Sequence, residues 1–254
     1  MTLAALRAQI EKVDAEIIRL LNTRTRLSIR VGQFKRKAGR PSFTPEREEF
    51  LLRHLETKRG RGPLPAADLR AIYREIFSSS RARQKRVMVG YLEDGGAALL
   101  TAWYRFGAGE SYLPAASWTA LCAALRRKKA DVAVCSAPDL AEALAKHGPA
   151  SMKGLRACGE VRVPGRDHEL FYLLEPGDAA EEPAPAGDSA KPRRLFLAPL
   201  SPAAARRLRA AGSLLQPAGW GRYLVDAGPR VGKAGLRLLP GAIPLGTFFT
   251  SETA

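Results

Sequence analysis

A regular spacing of apolar residues runs through the first 37 residues of the chain. The series advances by alternating steps of three and four, and nine of its ten positions are apolar: Leu3, Leu6, Ile10, Val13, Ile17, Leu20, Leu27, Val31 and Phe34. This spacing predicts one long helix, from about Thr2 to Lys37, that packs along other helices. The tenth position is Arg24, and a guanidinium group is costly to bury unless an anionic group meets it.

Two further helices are predicted before residue 87. Thr44 and Pro45 are typical of a helix start, with Thr44 as the N-cap and Pro45 at the first helical position, and this helix ends near residues 59–63. A third helix begins near Pro65, and its apolar face leads to two polar residues, Ser80 and Gln84. Polar groups therefore interrupt apolar faces on two different helices.

Beyond residue 86 the pattern changes to alternating strands and helices, which is typical of an α/β fold. Strands or extended segments are predicted at 87–92, 110–117, 131–136 and 168–175, and helices at 97–106, 119–130 and 139–148. The composition of residues 176–192 indicates a flexible linker. A strand at 194–200, a helix at 201–212, a strand at 221–228 and a Gly/Pro-rich tail follow.

The charge balance is strongly basic, with a formal net charge of +16 over 254 residues. This raises nucleic acid, membrane surfaces and anionic small molecules as partners. We do not expect nucleic acid, because no zinc-ligand spacing or RNA-binding aromatic motif is present. No apolar run approaches the length of a membrane span, and the N-terminus has no apolar signal core. The three scattered cysteines, Cys122, Cys135 and Cys158, predict reduced, mostly buried thiols in a cytoplasmic protein.

The helical region carries a set of residues that suits a small dianion. Arg24 and Lys35 are eleven residues apart, so they lie within about 20° of each other on one helix face. Arg7 is about 100° away from Arg24, so we expect a partner chain to supply it. The set is completed by Arg47, Glu48, Ser80 and Gln84. It contains no nucleophile–base pair and no metal-ligand group, which favours a rearrangement without covalent catalysis.

Residues 3–85 resemble the all-helical chorismate mutase family, in the form fused to the N-terminus of bifunctional chorismate mutase–prephenate dehydratases. The resemblance is carried by LAALRAQIEKVD, LLNTRTRL, VGQFK, RPSFTPERE and FSSSRARQ. It implies an intertwined dimer of three-helix chains that converts chorismate to prephenate in phenylalanine and tyrosine biosynthesis, with no cofactor or metal. Seven residues match functional positions of the family: Arg7, Arg24, Lys35, Arg47, Glu48, Ser80 and Gln84. Thr44, near the substrate hydroxyl, stands where the family usually has aspartate.

The resemblance also implies a role for each residue. Lys35 and Gln84 donate hydrogen bonds to the ether oxygen of the substrate, where negative charge grows as the C–O bond breaks. Glu48 accepts a hydrogen bond from the ring hydroxyl, and Arg47 holds Glu48 in place. The two substrate carboxylates are bound by the remaining matched residues, which are Arg24, Ser80 and Arg7 of the partner subunit.

The rest of the chain resembles the later parts of the same fused proteins. Residues 87–175 resemble a shortened dehydratase lobe of the periplasmic-binding-protein-like α/β type, but the family's catalytic Thr-Arg-Phe reads Glu169, Leu170 and Phe171 here. We therefore expect no dehydratase activity. Residues 193–254 resemble a small α+β ACT domain, a βαββαβ module, without the usual amino-acid-binding segments, so phenylalanine is not expected as an effector. The predicted domains are 1–86, 87–175 and 193–254, joined in the latter half by the linker 176–192.

Two other functions fit the same sequence. The chain could be a bifunctional enzyme that keeps both the mutase and the dehydratase activity. It could also be a non-catalytic basic interaction protein on a mutase scaffold.

Overall fold

Three helices form the N-terminal region of the computed structural model, which describes residues 2–39, 43–93, 95–163, 166, 169–180, 192–219, 221–228, 231, 239 and 241–248. They are α1 (Leu3–Lys37), α2 (Pro45–Arg59) and α3 (Ala66–Gln84). The Oγ1 atom of Thr2 accepts a hydrogen bond from the backbone N–H of Ala5 at 3.2 Å and so caps α1. The all-helical start of the chain and the α/β region that follows it confirm the predicted fold class.

A mixed five-stranded sheet follows the helices. Its strands are β1 (Met88–Leu92), β2 (Ser111–Ala115), β3 (Val132–Ser136), β4 (Leu155–Arg162) and β5 (Leu170–Pro176), in the order β2-β1-β3-β5-β4. Strand β1 pairs in parallel with β2 and β3, whereas β5 is antiparallel to β3 and β4. The intervening elements are α4 (Ala97–Phe106), α5 (Trp118–Arg126), α6 (Ala137–His147) and a 3₁₀ turn at Pro149–Met152.

A four-stranded antiparallel sheet makes up the C-terminal region. It contains β6 (Arg193–Pro199), β7 (Leu214–Pro217), β8 (Arg222–Ala227) and β9 (Ile243–Phe248), in the order β7-β8-β6-β9, with α7 (Pro202–Ala210) after β6. Most of the chain between β8 and β9, where an ACT domain has its second helix, lies outside the described residues. The ACT-like domain and the three domain boundaries therefore remain predictions.

Strands β4, β7 and β9 were not predicted from the sequence. The pairing of β4 with β5 shifts between Ala157 and Gly159, which breaks the regular alternation of side chains. Pro244 and Gly246 make β9 look like a turn, but β9 is an edge strand, where proline is tolerated. A Cβ atom at Gly246 would lie 2.1 Å from the carbonyl oxygen of Ala157, so glycine is needed where β9 approaches β4.

The apolar core joins the three regions. One cluster includes Tyr172 of the five-stranded sheet and Phe248 of the C-terminal sheet, whose ring centroids are 6.2 Å apart. Another includes Phe43, just before α2, and Phe106 of α4, with ring centroids 5.1 Å apart. All three cysteines are buried and none forms a disulfide, as predicted. Within the described residues, no helix has the length and apolar character that a membrane crossing requires.

Candidate active site

A cavity of about 350 Å³ opens between α1, α2 and α3. Seven of the eight residues predicted to bind substrate line it: Arg24, Lys35, Thr44, Arg47, Glu48, Ser80 and Gln84. The helical period aligns these side chains on each helix, and the packing of the three helices brings together residues that are up to 60 positions apart in the sequence. We refer to this space as the α1–α3 cavity.

Arg24 is fixed at the cavity wall by a residue of α3. Its Nη1 donates to the Oγ of Ser80 at 2.6 Å, and the hydroxyl of Ser80 donates in turn to the carbonyl oxygen of Ile76 at 2.7 Å. The guanidinium group also lies 5.5 Å from the centroid of the Phe77 ring. Burial lowers the pKa of Arg24 below its ordinary value. The seam arginine is therefore partly desolvated and is held by neutral groups, an arrangement that favours binding of an anion.

Lys35 and Thr44 meet at the opposite end of the cavity. The Nζ atom of Lys35 donates to the Oγ1 of Thr44 at 3.1 Å. Thr44 is the N-cap residue of α2, as predicted, but its side chain makes no cap hydrogen bond and faces Lys35 instead. Thr44 thus contacts Lys35 through a neutral hydroxyl, at the position where the family usually has a carboxylate.

Gln84 is held in place by close packing against α1. Its Nε2 donates to the Oγ of Ser28 at 2.7 Å, and its Oε1 is buried without a hydrogen-bond partner among the described residues. Gly32 is the buried residue of α1, and a Cβ atom there would lie 2.6 Å from the Cγ of Gln84. Glycine in the helix interior, which normally costs about 1 kcal/mol, thus makes room for the amide.

Glu48 is enclosed by two arginines that were not predicted as site residues. Its Oε1 accepts from Nη1 of Arg81 in a short ion pair, and its Oε2 accepts from Nη1 of Arg105 at 3.0 Å. Burial alone would raise the pKa of Glu48, but the two guanidinium groups outweigh burial and hold that pKa below its ordinary value. Glu48 is therefore ionised at neutral pH.

The expected hold of Arg47 on Glu48 is not found in the structure. Adjacent residues on a helix point about 100° apart, and the guanidinium of Arg47 lies 5.1 Å from the ring centroid of Phe50. Among the described residues, no ion pair joins Arg47 to Glu48. Arg81 could have been found from the sequence, because it follows Phe77 by four residues on the same helix face. Arg105 carried no such signal, because it lies on α4 of the five-stranded sheet region.

Arg81 ties the cavity to the next region of the chain. Its Nε donates to Glu110 at 2.7 Å, and its Nη2 donates to the carbonyl oxygen of Phe106 at 2.7 Å. The second oxygen of Glu110 accepts from the backbone N–H of Val87 at 2.7 Å. We call the four charged residues the Glu48 cluster: Glu48, Arg81, Arg105 and Glu110.

Arg7 does not line the cavity of its own chain. It is exposed on α1 and lies seventeen residues before Arg24, which corresponds to about 26 Å along the helix. The nine apolar positions of the predicted seam, the α1 stripe, are also exposed, by 39% at Leu6 to 72% at Phe34. Leu27 and Val31 belong both to the stripe and to the cavity wall, so whatever covers the stripe also covers the cavity mouth.

A larger cavity, of about 660 Å³, lies between the five-stranded sheet, α6 and the C-terminal sheet. The residues at the family's catalytic Thr-Arg-Phe position, Glu169, Leu170 and Phe171, line it. Glu169 forms an ion pair with Arg166 at 2.7 Å. Neither cavity holds a metal-ligand cluster, since no group of three or more His, Cys, Asp or Glu suited to a metal occurs in the described part of the chain.

The helical region is similar to a known class of protein. Residues 6–85 match the family model described as chorismate mutase type II. The chain is homologous to the bifunctional chorismate mutase/prephenate dehydratase of Aquifex aeolicus, with 32% identity over 188 residues that make up 70% of this chain and 50% of the relative. That alignment is longer than the helical region, so the homology extends into the α/β region.

Other relatives are similar over shorter stretches. The bifunctional chorismate mutase/prephenate dehydratase of Neisseria gonorrhoeae is 33% identical over 90 residues, 35% of this chain and 24% of the relative. The chain thus spans about half the length of the first curated relative and about a quarter of the second. The prephenate dehydratase structure from Streptococcus mutans is 16% identical and has a TM-score of 0.42, over 65% of this chain and 98% of that one. Structural similarity at this identity and TM-score does not define an activity.

Proposed function

We propose that this chain is a chorismate mutase that rearranges chorismate to prephenate in the α1–α3 cavity. The observation that carries the proposal is the convergence of seven predicted substrate-binding residues on one cavity. The cavity is rich in cations, which suits a substrate with two carboxylates. The match of residues 6–85 to the chorismate mutase type II family supports the same substrate.

The proposed chemistry needs only positioning and electrostatic stabilisation. Arg24, already anchored by Ser80, binds one carboxylate of the substrate. The ammonium of Lys35 and an amide N–H of Gln84 donate to the ether oxygen as its bond to carbon breaks. Glu48 accepts a hydrogen bond from the ring hydroxyl. Binding in a chair-like geometry supplies the remainder of the barrier reduction, because it fixes the two reacting carbon atoms next to each other.

We propose that two chains pair through the α1 stripe to complete each site. Nine exposed apolar residues on one helix face are a strong reason for association, because burying them removes a large apolar area from water. An antiparallel pair of α1 helices that brings Arg7 of the partner subunit level with Arg24 has its two-fold axis near Ala15 and Glu16. In that arrangement Arg7 of the partner subunit binds the second carboxylate.

We propose that dehydratase activity has been lost. The positions that carry Thr-Arg-Phe in the family hold Glu169, Leu170 and Phe171, and Glu169 is paired with Arg166. Leu170 lacks the donors of an arginine, and Glu169 brings a negative charge toward an anionic substrate. Incubation of the full chain with prephenate should yield no enzymatic phenylpyruvate, and its formation would instead support a bifunctional enzyme.

The mutase proposal is tested by prephenate formation from chorismate. The full chain should convert chorismate, and Arg24→Ala should lower kcat/KM by about 10³-fold because it removes a charged clamp from a partly desolvated site. Arg24→Lys should remain poor, since the two-pronged geometry is lost. The matched control is Arg30→Ala, an exposed arginine of the same helix. Equal activity of the Arg24→Ala and Arg30→Ala proteins would contradict the proposal.

The dimer is tested by mixing two inactive chains. Arg7→Ala and Arg24→Ala proteins are unfolded together and refolded, so that heterodimers form with one doubly altered site and one intact site. Activity should return to at most about half the wild-type value per heterodimer. No recovery, with heterodimers confirmed by mass, would mean that Arg7 does not act across the dimer.

A further inference from the structure

The carboxylate of Glu48 forms ion pairs with arginines from two regions of the chain. Arg81 belongs to the helical region, but Arg105 belongs to α4 of the five-stranded sheet region. All three side chains are largely buried, with exposures of 13% for Glu48, 4% for Arg81 and 14% for Arg105. Charges so well shielded from water act on one another strongly.

Arg81 does not neutralise Glu48 alone, because it also forms an ion pair with Glu110. Its Nε is 2.7 Å from Glu110, whose side chain has no exposed surface. Burial raises the pKa of Glu110 even though Arg81 and the N–H of Val87 oppose that effect. Arg105 therefore brings the second positive charge that balances two buried carboxylates.

Arg105 is fixed where it contacts Glu48. Its guanidinium carbon lies 5.6 Å from the ring centroid of Phe43 and 5.5 Å from that of Phe106. The turn that follows α4 is packed tightly on α3, since the backbone N–H of Gly109 donates to the Oγ of Ser78 at 3.0 Å. The position of Arg105 is thus set by α4 and by the packing of α4 and its following turn against the helical region.

Arg105 is not among the described residues that line the α1–α3 cavity, whereas Glu48 and Arg81 are. We therefore expect Arg105 to affect the reaction through its ion pair with Glu48.

We propose that Arg105 is a positioning residue for the mutase reaction, which orients the Glu48 carboxylate toward the substrate hydroxyl and keeps it ionised. This inference rests on the proposed mutase function. It gives the α/β region a task in the mutase site that does not depend on dehydratase activity.

The charges that face Glu48 come from every element packed around it. They are Arg24 of α1, Arg81 of α3, Arg105 of α4 and Glu110 of the segment before β2. Lys35 of α1 lines the same cavity. Loss of Arg105 leaves Arg81 to neutralise two carboxylates. The pKa of Glu48 should then rise, and the mutase should lose activity on the acid side at a higher pH than the wild type.

The test uses the full chain and follows kcat/KM for chorismate against pH. Arg105→Met should lower kcat/KM about tenfold at neutral pH and move the acid limb upward by about one pH unit. Arg105→Lys should restore much of the acid limb, because it restores the charge. The control is Arg74→Ala, whose guanidinium carbon lies 3.9 Å from the ring centroid of Tyr104 at the same α3–α4 contact without touching Glu48.

A double-mutant cycle separates positioning from general support of the fold. In a Glu48→Gln background, Arg105→Met should cause no further loss of the residual activity. An additive loss in the double variant would overturn the inference. So would a pH profile of Arg105→Met in which kcat/KM falls equally at every pH. In either case, turnover of chorismate by the wild type would still support the mutase function. If the wild type converts no chorismate, the proposed function fails and the inference fails with it.

Discussion

Two buried clusters of charged residues join the regions of this molecule, and they differ in their balance of charge. The Glu48 cluster holds two carboxylates and two arginines between the helices and the five-stranded sheet region. The Asp226 cluster lies between the two sheets. Among the described residues, it holds the carboxylates of Asp226 and Glu160, the guanidinium group of Arg193 and the hydroxyl of Tyr172. Arg193 Nε lies 2.7 Å from Asp226 and 3.6 Å from Glu160, and Tyr172 donates to Asp226 at 3.1 Å.

This difference decides how each cluster responds to protons. Two arginines hold the pKa of Glu48 below its ordinary value in spite of burial. At the second cluster, burial and the neighbouring Glu160 raise the pKa of Asp226 to about 7, because Arg193 and Tyr172 compensate only in part. Burial alone therefore does not set the pKa of a buried carboxylate. The direction of the pKa shift depends on how many cations lie next to it.

The largest effect is expected from removing the arginine shared by two carboxylates. Arg81→Met should lower the free energy of unfolding by about 3–5 kcal/mol, because it leaves Glu110 buried without its charge partner. Urea unfolding measures this change. Adding Glu110→Gln to Arg81→Met should recover part of the loss. A loss below about 1 kcal/mol in Arg81→Met alone would contradict the balance of two carboxylates and two arginines in the Glu48 cluster.

A pH-dependent effect is expected at the second cluster. Since the pKa of Asp226 is about 7 in the folded chain and 3.8 in the ordinary case, the folded state binds the proton more tightly. The contribution of Asp226 to stability is therefore fully present below pH 4 and is lost as pH rises through 7, by an amount on the order of a few kcal/mol.

This effect is isolated by comparison with Asp226→Asn. The variant lacks the titrating group, so the difference in unfolding free energy between wild type and variant should become less favourable to the wild type between pH 5 and pH 8. Urea unfolding at several pH values measures the two curves. Parallel curves would show that Asp226 does not titrate in this range.

A smaller effect is expected inside the α1–α3 cavity. Gly32→Ala places a methyl group against the side chain of Gln84 and should lower kcat/KM for chorismate by about tenfold. The free energy of unfolding should fall as well, by about 1–3 kcal/mol, because the methyl group meets the Cβ and Cγ atoms of Gln84, which are held close to the α3 backbone. Gln33→Ala, an exposed neighbour on the same helix, is the control, and equal activities of the two variants would argue against a role for the Gln84 amide.

The smallest effect is expected at an exposed ion pair in the same part of the chain. Lys85 Nζ lies 2.9 Å from Asp131, but the lysine side chain is 64% exposed. Lys85→Ala should change the unfolding free energy by no more than about 0.5 kcal/mol, because water screens such pairs. A loss of stability as large as that of Arg81→Met would show that burial does not explain the difference in stabilisation between the Lys85–Asp131 and Arg81–Glu110 ion pairs.

The sequence was sufficient to predict which residues line the α1–α3 cavity, because their positions follow the helical period. Arg24, Ser80 and Gln84 interrupt apolar faces, and Lys35 lies on the same helix face as Arg24, so that their convergence on one cavity needs only three packed helices. The roles of Arg105 and Asp226 could not be predicted, because each depends on contacts between regions distant in sequence. Strand β9 was missed because Pro244 and Gly246 resemble a turn in the sequence, whereas in the fold the proline lies in an edge strand and the glycine lies against Ala157 of β4.

The most direct test of the mutase assignment is the pH profile of Gln84→Glu with chorismate. A glutamate at this position can donate to the ether oxygen only when protonated, so the variant should be nearly inactive at neutral pH and recover activity in acid. Wild type, whose amide does not titrate, should not show this recovery. A flat profile for the variant from mildly acidic to neutral pH would contradict a donor role of residue 84 and, with it, the account of the site.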